Sequence, residues 1–126
     1  MNKKNVNTRK INLQEIKELV INVFQNQGCD IPNANALANT IVSAEQDGSS
    51  SHGLFRVPGY VASLQSGKVN GKSSPKVEHQ TPVILKCNSD NGFASYSHEI
   101  ALPMLVEAAK INGIAALSIT GCYHFA

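Results

Sequence analysis

The chain lacks the features that would place it in a membrane, outside the cell or on nucleic acid. No apolar run approaches the ~20 residues a membrane helix needs, and the N-terminus has no apolar core of a secretory signal. Net charge is only +2, too small for electrostatics to drive nucleic-acid binding. Much of the basic excess lies in residues 1–10, where Lys3, Lys4, Arg9 and Lys10 sit among polar residues and read as a solvated, disordered terminus. Three cysteines at wide spacing, Cys29, Cys87 and Cys122, form no disulfide framework and read as reduced thiols of a cytoplasmic protein. Cys122 and His124 are two apart, but no second pair has zinc-site spacing, which argues against a metal. There is no G-x-G-x-x-G and no G-x-S-x-G. The usual glycine-rich dinucleotide site and the serine-hydrolase elbow are thereby excluded. No internal repeat or low-complexity tract occurs.

What remains is an ordinary globular composition, 42% hydrophobic and 16% charged over 126 residues, enough for one domain with a proper core. Asn12-Leu13-Gln14-Glu15 has the form of a capping box. Leu13, Ile16, Leu19, Val20, Val23 and Phe24 then recur at helical spacing until Gly28, which predicts a helix over residues 13–27. Pro32 suits an early helical position, and Ala34, Leu37, Ala38, Ile41, Val42 and Glu45 carry a second helix to about Asp47, with Gly48 ending it. A third, shorter helix carries Val57, Tyr60, Val61 and Leu64 and stops at Gly67. It must start near Arg56 or Val57, because Pro58 is tolerated only in a first turn.

Farther on, Gly67-Lys68-Val69-Asn70-Gly71-Lys72-Ser73 falls one residue short of a phosphate-binding loop and follows a helix, so it reads as a turn. Lys76-Val77-Glu78 and Val83-Ile84-Leu85-Lys86-Cys87 predict short strands. Ser95 or Ser97 is the expected cap of a fourth helix ending before Gly113, with Pro103 forcing a late start or a kink. Ile114-Ala115-Ala116-Leu117-Ser118-Ile119 reads as a buried strand. The chain stops soon after it, without a polar tail or closing helix, and the expectation is a piece of a longer protein.

Residues 47–60 hold the most chemistry. His52 follows a serine run at the C-terminal end of a helix, where the macrodipole favours imidazolium. Arg56 follows four residues later. An imidazole near a planar, permanent cation suits a site that holds a carboxylate and moves a proton beside it. Among the other histidines, His79 and His98 lie in polar surroundings and read as solvated. His124, like His52, lies in a glycine-containing loop after a regular element, where functional residues concentrate. From the residues alone this is a mixed α/β domain with a His/Arg site.

Ser51-His52-Gly53-Leu54-Phe55-Arg56-Val57-Pro58-Gly59-Tyr60, the Ser66-Gly67-Lys68-Val69-Asn70 loop, Asp90-Asn91-Gly92 and His124-Phe125 together resemble the type-2 malate/L-lactate dehydrogenase family. Its members reduce 2-oxo acids or cyclic imino acids with NADH or NADPH and lack a Rossmann fold. Gln46-Asp47-Gly48-Ser49, Asn91-Gly92-Phe93-Ala94 and His124-Phe125-Ala126 draw the resemblance toward reductases of Δ1-piperideine-2-carboxylate and Δ1-pyrroline-2-carboxylate. The resemblance implies that His52 donates the proton, Ser51 stands in a relay behind it, and Arg56 binds the substrate carboxylate. His124, Phe125 and Ala126 would begin a loop lining the NADPH (or NADH) nicotinamide. It further implies a mixed α/β architecture, with a helical segment over residues 11–72 and the beginning of a non-Rossmann cofactor-binding sheet domain over 73–126. The full-length protein would be a homodimer acting on a small 2-oxo or cyclic imino acid. Since family members are more than twice this long, the chain alone is expected not to turn over. A 2-hydroxy-acid dehydrogenase of the same fold, and a non-catalytic module pairing through an exposed strand edge, are the alternatives.

Overall fold

A computed structural model describes residues 7–123; residues 1–6 and 124–126 lie outside the described part. The first helix, α1 (Leu13–Asn26), starts where the sequence requires. Asn12 Oδ1 accepts from the Glu15 N–H at 2.8 Å and Glu15 Oε2 accepts from the Asn12 N–H at 2.9 Å, closing the capping box. Its buried stripe is Ile16, Val20 and Phe24. The second helix, α2 (Ile31–Gln46), opens on an Asp30 cap and carries Pro32 in its first turn. It packs against α1 and contributes Ala34, Leu37, Ala38 and Ile41 to the core. Fully burying side chains such as Phe24, Leu37 and Ile41 stabilises by about 1.5–3 kcal/mol each.

The third helix, α3 (Val57–Gln65), begins at one of the two expected residues. All three helices end in the same way. At α2 the Ser49 N–H reaches back to the Ala44 carbonyl at 2.8 Å and the Gly48 N–H to Glu45 at 3.1 Å. Gly48 makes this possible by adopting a φ of +72°, a Schellman stop. Gly28 and Gly67 take the same position after α1 and α3.

Two strands, β1 (Lys76–His79) and β2 (Ile84–Asn88), pair antiparallel, and β3 (Ala116–Thr120) joins β2 in parallel, giving the order β1-β2-β3. The parallel pair is connected by the fourth helix, α4 (Ala94–Asn112), which packs on the sheet and against α2. Leu85 and Cys87 of β2 are buried on one face, opposite Leu117 and Ile119 of β3. Ile84, Lys86, Asn88, Ala116, Ser118 and Thr120, on the other face, are exposed.

Two expectations are corrected here. Neither Ser95 nor Ser97 caps α4: the helix starts at Ala94 after Phe93, with no side-chain cap, and runs through Pro103. Both serines are buried within its first turns and tie elements together instead. Ser95 Oγ accepts from Thr40 of α2 at 3.1 Å, and Ser97 Oγ donates to Ser89 at 2.6 Å. Nor is the run Ile114–Ile119 a buried strand. Among the described residues its part from Ala116 pairs with β2 alone and has one face covered, so Leu117 and Ile119 are half-buried and Ile114 is 74% exposed.

Four rings thread the interior. Phe24 and Tyr60 lie 6.2 Å apart, Tyr60 and Phe93 5.6 Å, and Phe93 and Tyr123 6.0 Å edge-to-face, tilted and T-shaped geometries that suit the ring quadrupoles. The turn after α3 is clasped to the β2–α4 loop. The Asn70 N–H donates to Asn91 O at 2.8 Å, Asn91 Nδ2 to Lys68 O at 3.1 Å, and the Ser74 N–H to Asp90 Oδ2 at 3.0 Å. Asp90 and Asn91 adopt φ of +54° and +55° there, a conformation their short polar side chains tolerate. The stretch that falls short of a phosphate loop is thus a structural clasp.

Candidate active site

Past the Schellman stop of α2 the chain makes two short 3-10 turns, Ser50–His52 and Leu54–Arg56, and the second runs directly into α3. The two turns share Gly53 and carry the histidine and the arginine on successive steps. His52 is exposed and Arg56 half-buried. Ser51 touches both. Its Oγ lies 2.9 Å from His52 Nδ1, and its carbonyl accepts from Arg56 Nε at 2.9 Å. Ser49 Oγ stands behind at 3.4 Å from the same ring nitrogen.

The consequences are chemical. When the Ser51 hydroxyl donates to Nδ1, the neutral ring carries its proton on Nε2; when the ring is doubly protonated, Nδ1–H donates back to Ser51. Either way, Nε2–H is left for a ligand. With Nε engaged, Arg56 keeps its two terminal NH2 groups, a planar fork suited to a carboxylate. A hollow of about 290 Å3 lined by Ser50, Ser51 and Phe55 opens beside Ser51; its lining does not include His52 or Arg56.

The turn is anchored to the core at Tyr60, one helical turn beyond Arg56 and buried between Phe24 and Phe93. Burial pushes its phenol up to about 12, with the Arg56 guanidinium opposing the rise. Tyr60 therefore stays protonated at physiological pH and acts as an anchor. Burial, with a smaller contribution from Asp30, raises the Cys29 thiol to about 11, and burial also raises Cys87. Neither is set up as a nucleophile.

Of the residues singled out from sequence, the fold brings Ser51, His52 and Arg56 together. His79 and His98 are exposed elsewhere. His124, Phe125 and Ala126 lie outside the described residues. Their immediate predecessor is well fixed: the Tyr123 N–H donates to Gly92 O at 2.8 Å, and its phenol oxygen accepts from Ser63 of α3 at 2.7 Å. The chain leaving β3 is thereby pinned to the helix that Arg56 introduces. Two neighbours of the site have no role in the sequence pattern: Tyr123, and Glu45, which stands there only as the polar last member of the second helix's stripe. The Glu45 carboxylate accepts the Leu54 N–H at 2.7 Å, directly beneath the two turns. The available signal was a glutamate at the end of an otherwise apolar helical stripe.

The profile of the malate/L-lactate dehydrogenase family matches residues 11–126. A Δ1-pyrroline-2-carboxylate reductase of Ancylobacter novellus is 40% identical over 116 residues, covering 92% of this chain and 34% of the relative. The crystal structure of Δ1-piperideine-2-carboxylate reductase from Pseudomonas syringae superposes with a TM-score of 0.91 at 38% identity, over 94% of this chain and 36% of that one. Malate dehydrogenase from Entamoeba histolytica superposes with a TM-score of 0.85 at 26% identity, over 94% and 33%. The chain thus spans about a third of the length of the proteins it matches. Over that span it belongs to the malate/L-lactate dehydrogenase family of oxidoreductases, with that family's mixed helix-and-sheet fold.

Proposed function

We propose that the protein bearing this chain reduces a cyclic imino acid, Δ1-pyrroline-2-carboxylate or Δ1-piperideine-2-carboxylate, to L-proline or L-pipecolate. The observation that carries the reading is the double role of Ser51. Its side chain orients the imidazole and its carbonyl orients the guanidinium, so proton donor and carboxylate clamp share one residue as their reference. The names of the similar reductases supply the substrate class.

NADPH, or NADH, supplies the hydride when bound, and the residues proposed to line it are His124, Phe125 and Ala126. The donors described here suit the other half of the site, an anionic substrate that needs a proton. Arg56 grips the carboxylate bidentately and fixes which face of the ring is presented. His52 Nε2–H is aimed at the imine nitrogen, where negative charge grows as the C=N bond is reduced. Ser51 holds the ring in the tautomer that keeps this proton outward. Such general acid catalysis is worth roughly 10²–10⁴-fold. The same reading takes the protein to be cytoplasmic and a homodimer.

The likeness to malate dehydrogenase keeps a second reading open, in which the same acid protonates the oxygen of a 2-oxo acid. One experiment separates them. The complete gene product is assayed with both substrate classes, alongside His52→Ala. Faster turnover of the cyclic imine than of oxaloacetate or pyruvate is expected, with His52→Ala lowering kcat by about 10²–10⁴-fold and changing cofactor affinity far less. Preference for the oxo acid transfers the function to the second reading, and undiminished turnover by His52→Ala removes His52 from the acid role.

A further inference from the structure

The peptide joining Gly53 to Leu54 links the turn that carries His52 to the turn that carries Arg56, and one side chain holds it from below. Glu45 sits half-buried in the last turn of α2. Its Oε1 accepts the Leu54 N–H at 2.7 Å. Gly53 passes so close to the same carboxylate that a Cβ there would overlap it, so the contact forms only because residue 53 has no side chain.

Short 3-10 turns hold themselves poorly, with few and badly aligned hydrogen bonds. Here the His52 N–H reaches Ser49 O at 2.9 Å, the Gly53 N–H reaches Ser50 O at 3.3 Å, and the Arg56 N–H reaches Gly53 O at 3.0 Å. Each of these stays within the turns and their flanks. The bond from Glu45 ties the junction to a regular element, and it is charge-assisted, roughly twice as strong as a neutral one. Leu54 itself packs against the helical core, so the junction is fixed by its side chain and by its N–H.

We infer that Glu45 is a positioning residue for the His52–Arg56 pair: by accepting the Leu54 N–H it fixes the Gly53 hinge about which imidazole and guanidinium would otherwise shift. It acts as an acceptor on the backbone rather than as a charge toward the substrate. The inference rests on the roles proposed above for His52 and Arg56.

The test compares Glu45→Met, which keeps bulk and removes the acceptor, with Glu45→Gln, which keeps an oxygen for Leu54 and removes the charge. Glu45→Ala serves as a second truncation and is held to the same outcomes as Glu45→Met. Two quantities are read on the complete gene product. The first needs no substrate: the exchange rate by NMR of the Arg56 Nε–H, which is bonded to Ser51 O. The second is kcat with the cyclic imino acid. In the truncations Nε–H exchange should rise at least about tenfold, as loss of a hydrogen bond to a charged group implies. Their kcat should fall about 10²-fold, as for a misplacement of roughly 1 Å. Glu45→Gln should stay within about threefold of wild type in both. Wild-type exchange and turnover in the truncations overturn the inference, and so does a Glu45→Gln as impaired as they are. If the wild-type protein reduces no cyclic imino acid, the functional reading fails, and the exchange rate alone decides the role of Glu45.

Discussion

Helices α1–α3 and the three-stranded sheet differ in how fully this chain encloses them. Each of the three helices closes its end with a Schellman turn, and together they surround Phe24, Leu37, Ile41 and Tyr60. Among the described residues the sheet is covered on one face, and the opposite face leaves Ile84 and Ala116 exposed, with Ile114 exposed just before β3. The candidate active site belongs to the enclosed side. Ser51, His52 and Arg56 lie between α2 and α3, and the turn that carries them is pinned at Glu45 and Tyr60. An acid and a cation that must keep their relative placement gain from that support, because orientation is lost when the supporting elements fluctuate.

The sharpest way to break this contrast is to open a cavity on each side. Phe24 is fully buried at the head of the aromatic series, so Phe24→Ala should cost about 3–5 kcal/mol, a large share of a domain's stability. Leu117 is half-buried on β3, and Leu117→Ala should cost no more than about 1–2 kcal/mol. Urea unfolding of the two variants checks the difference. Equal losses would mean that the sheet is as enclosed as the helices.

Titration probes the helical core directly. Tyr60 and Cys29 both lie in the helical core, and burial raises them to about 12 and about 11 from ordinary values of 10.0 and 9.0. For such groups the folded state keeps the proton after the unfolded chain has released it. Their contribution is fully present below pH 9 and is lost as pH rises, from 9 to about 11 for Cys29 and from 10 to about 12 for Tyr60. Stability should therefore fall by roughly 3–5 kcal/mol between pH 9 and pH 12. Tyr60→Phe, with its phenol gone, should flatten the upper part of the fall. Melting temperatures at stepped pH would show it, and an unchanged slope in Tyr60→Phe would remove Tyr60 as a cause.

Local signals made the helical side legible and left much of the rest hidden. Asn12 with Glu15, and the glycines at 28, 48 and 67, mark starts and stops within a few residues of themselves, and the fold follows them. The pairing of His52 with Arg56 was readable because both lie on one short stretch. Ser95 and Ser97 misled because small hydroxyl residues near a helix start resemble caps. Their actual partners include Thr40, 55 residues away in the sequence. Glu45 is visible in the helical stripe while its role is not, for a related reason: its partner is a backbone N–H, which leaves no mark on composition. The run at 114–119 reads as an extended, buried segment; β3 takes up only its part from Ala116, and its burial does not follow, since apolar content sets a preference for contact but not which face receives a neighbour.

The smallest effect is expected where the sequence was most misleading. Ile114 is apolar, yet 74% of it is exposed, and it lies just before β3 on the side of the molecule that the helical core does not reach. A side chain that buries little area in the fold has little to lose on truncation, so Ile114→Ser should change unfolding stability by no more than about 0.5 kcal/mol. The same replacement removes one of the exposed large apolar side chains, Ile111 being another, and exposed apolar surface promotes association. Sedimentation at rising concentration should therefore show less self-association for Ile114→Ser than for the wild type. A stability loss above about 1 kcal/mol would mean that Ile114 is covered in solution, and the contrast between an enclosed helical side and an open sheet would have to be given up.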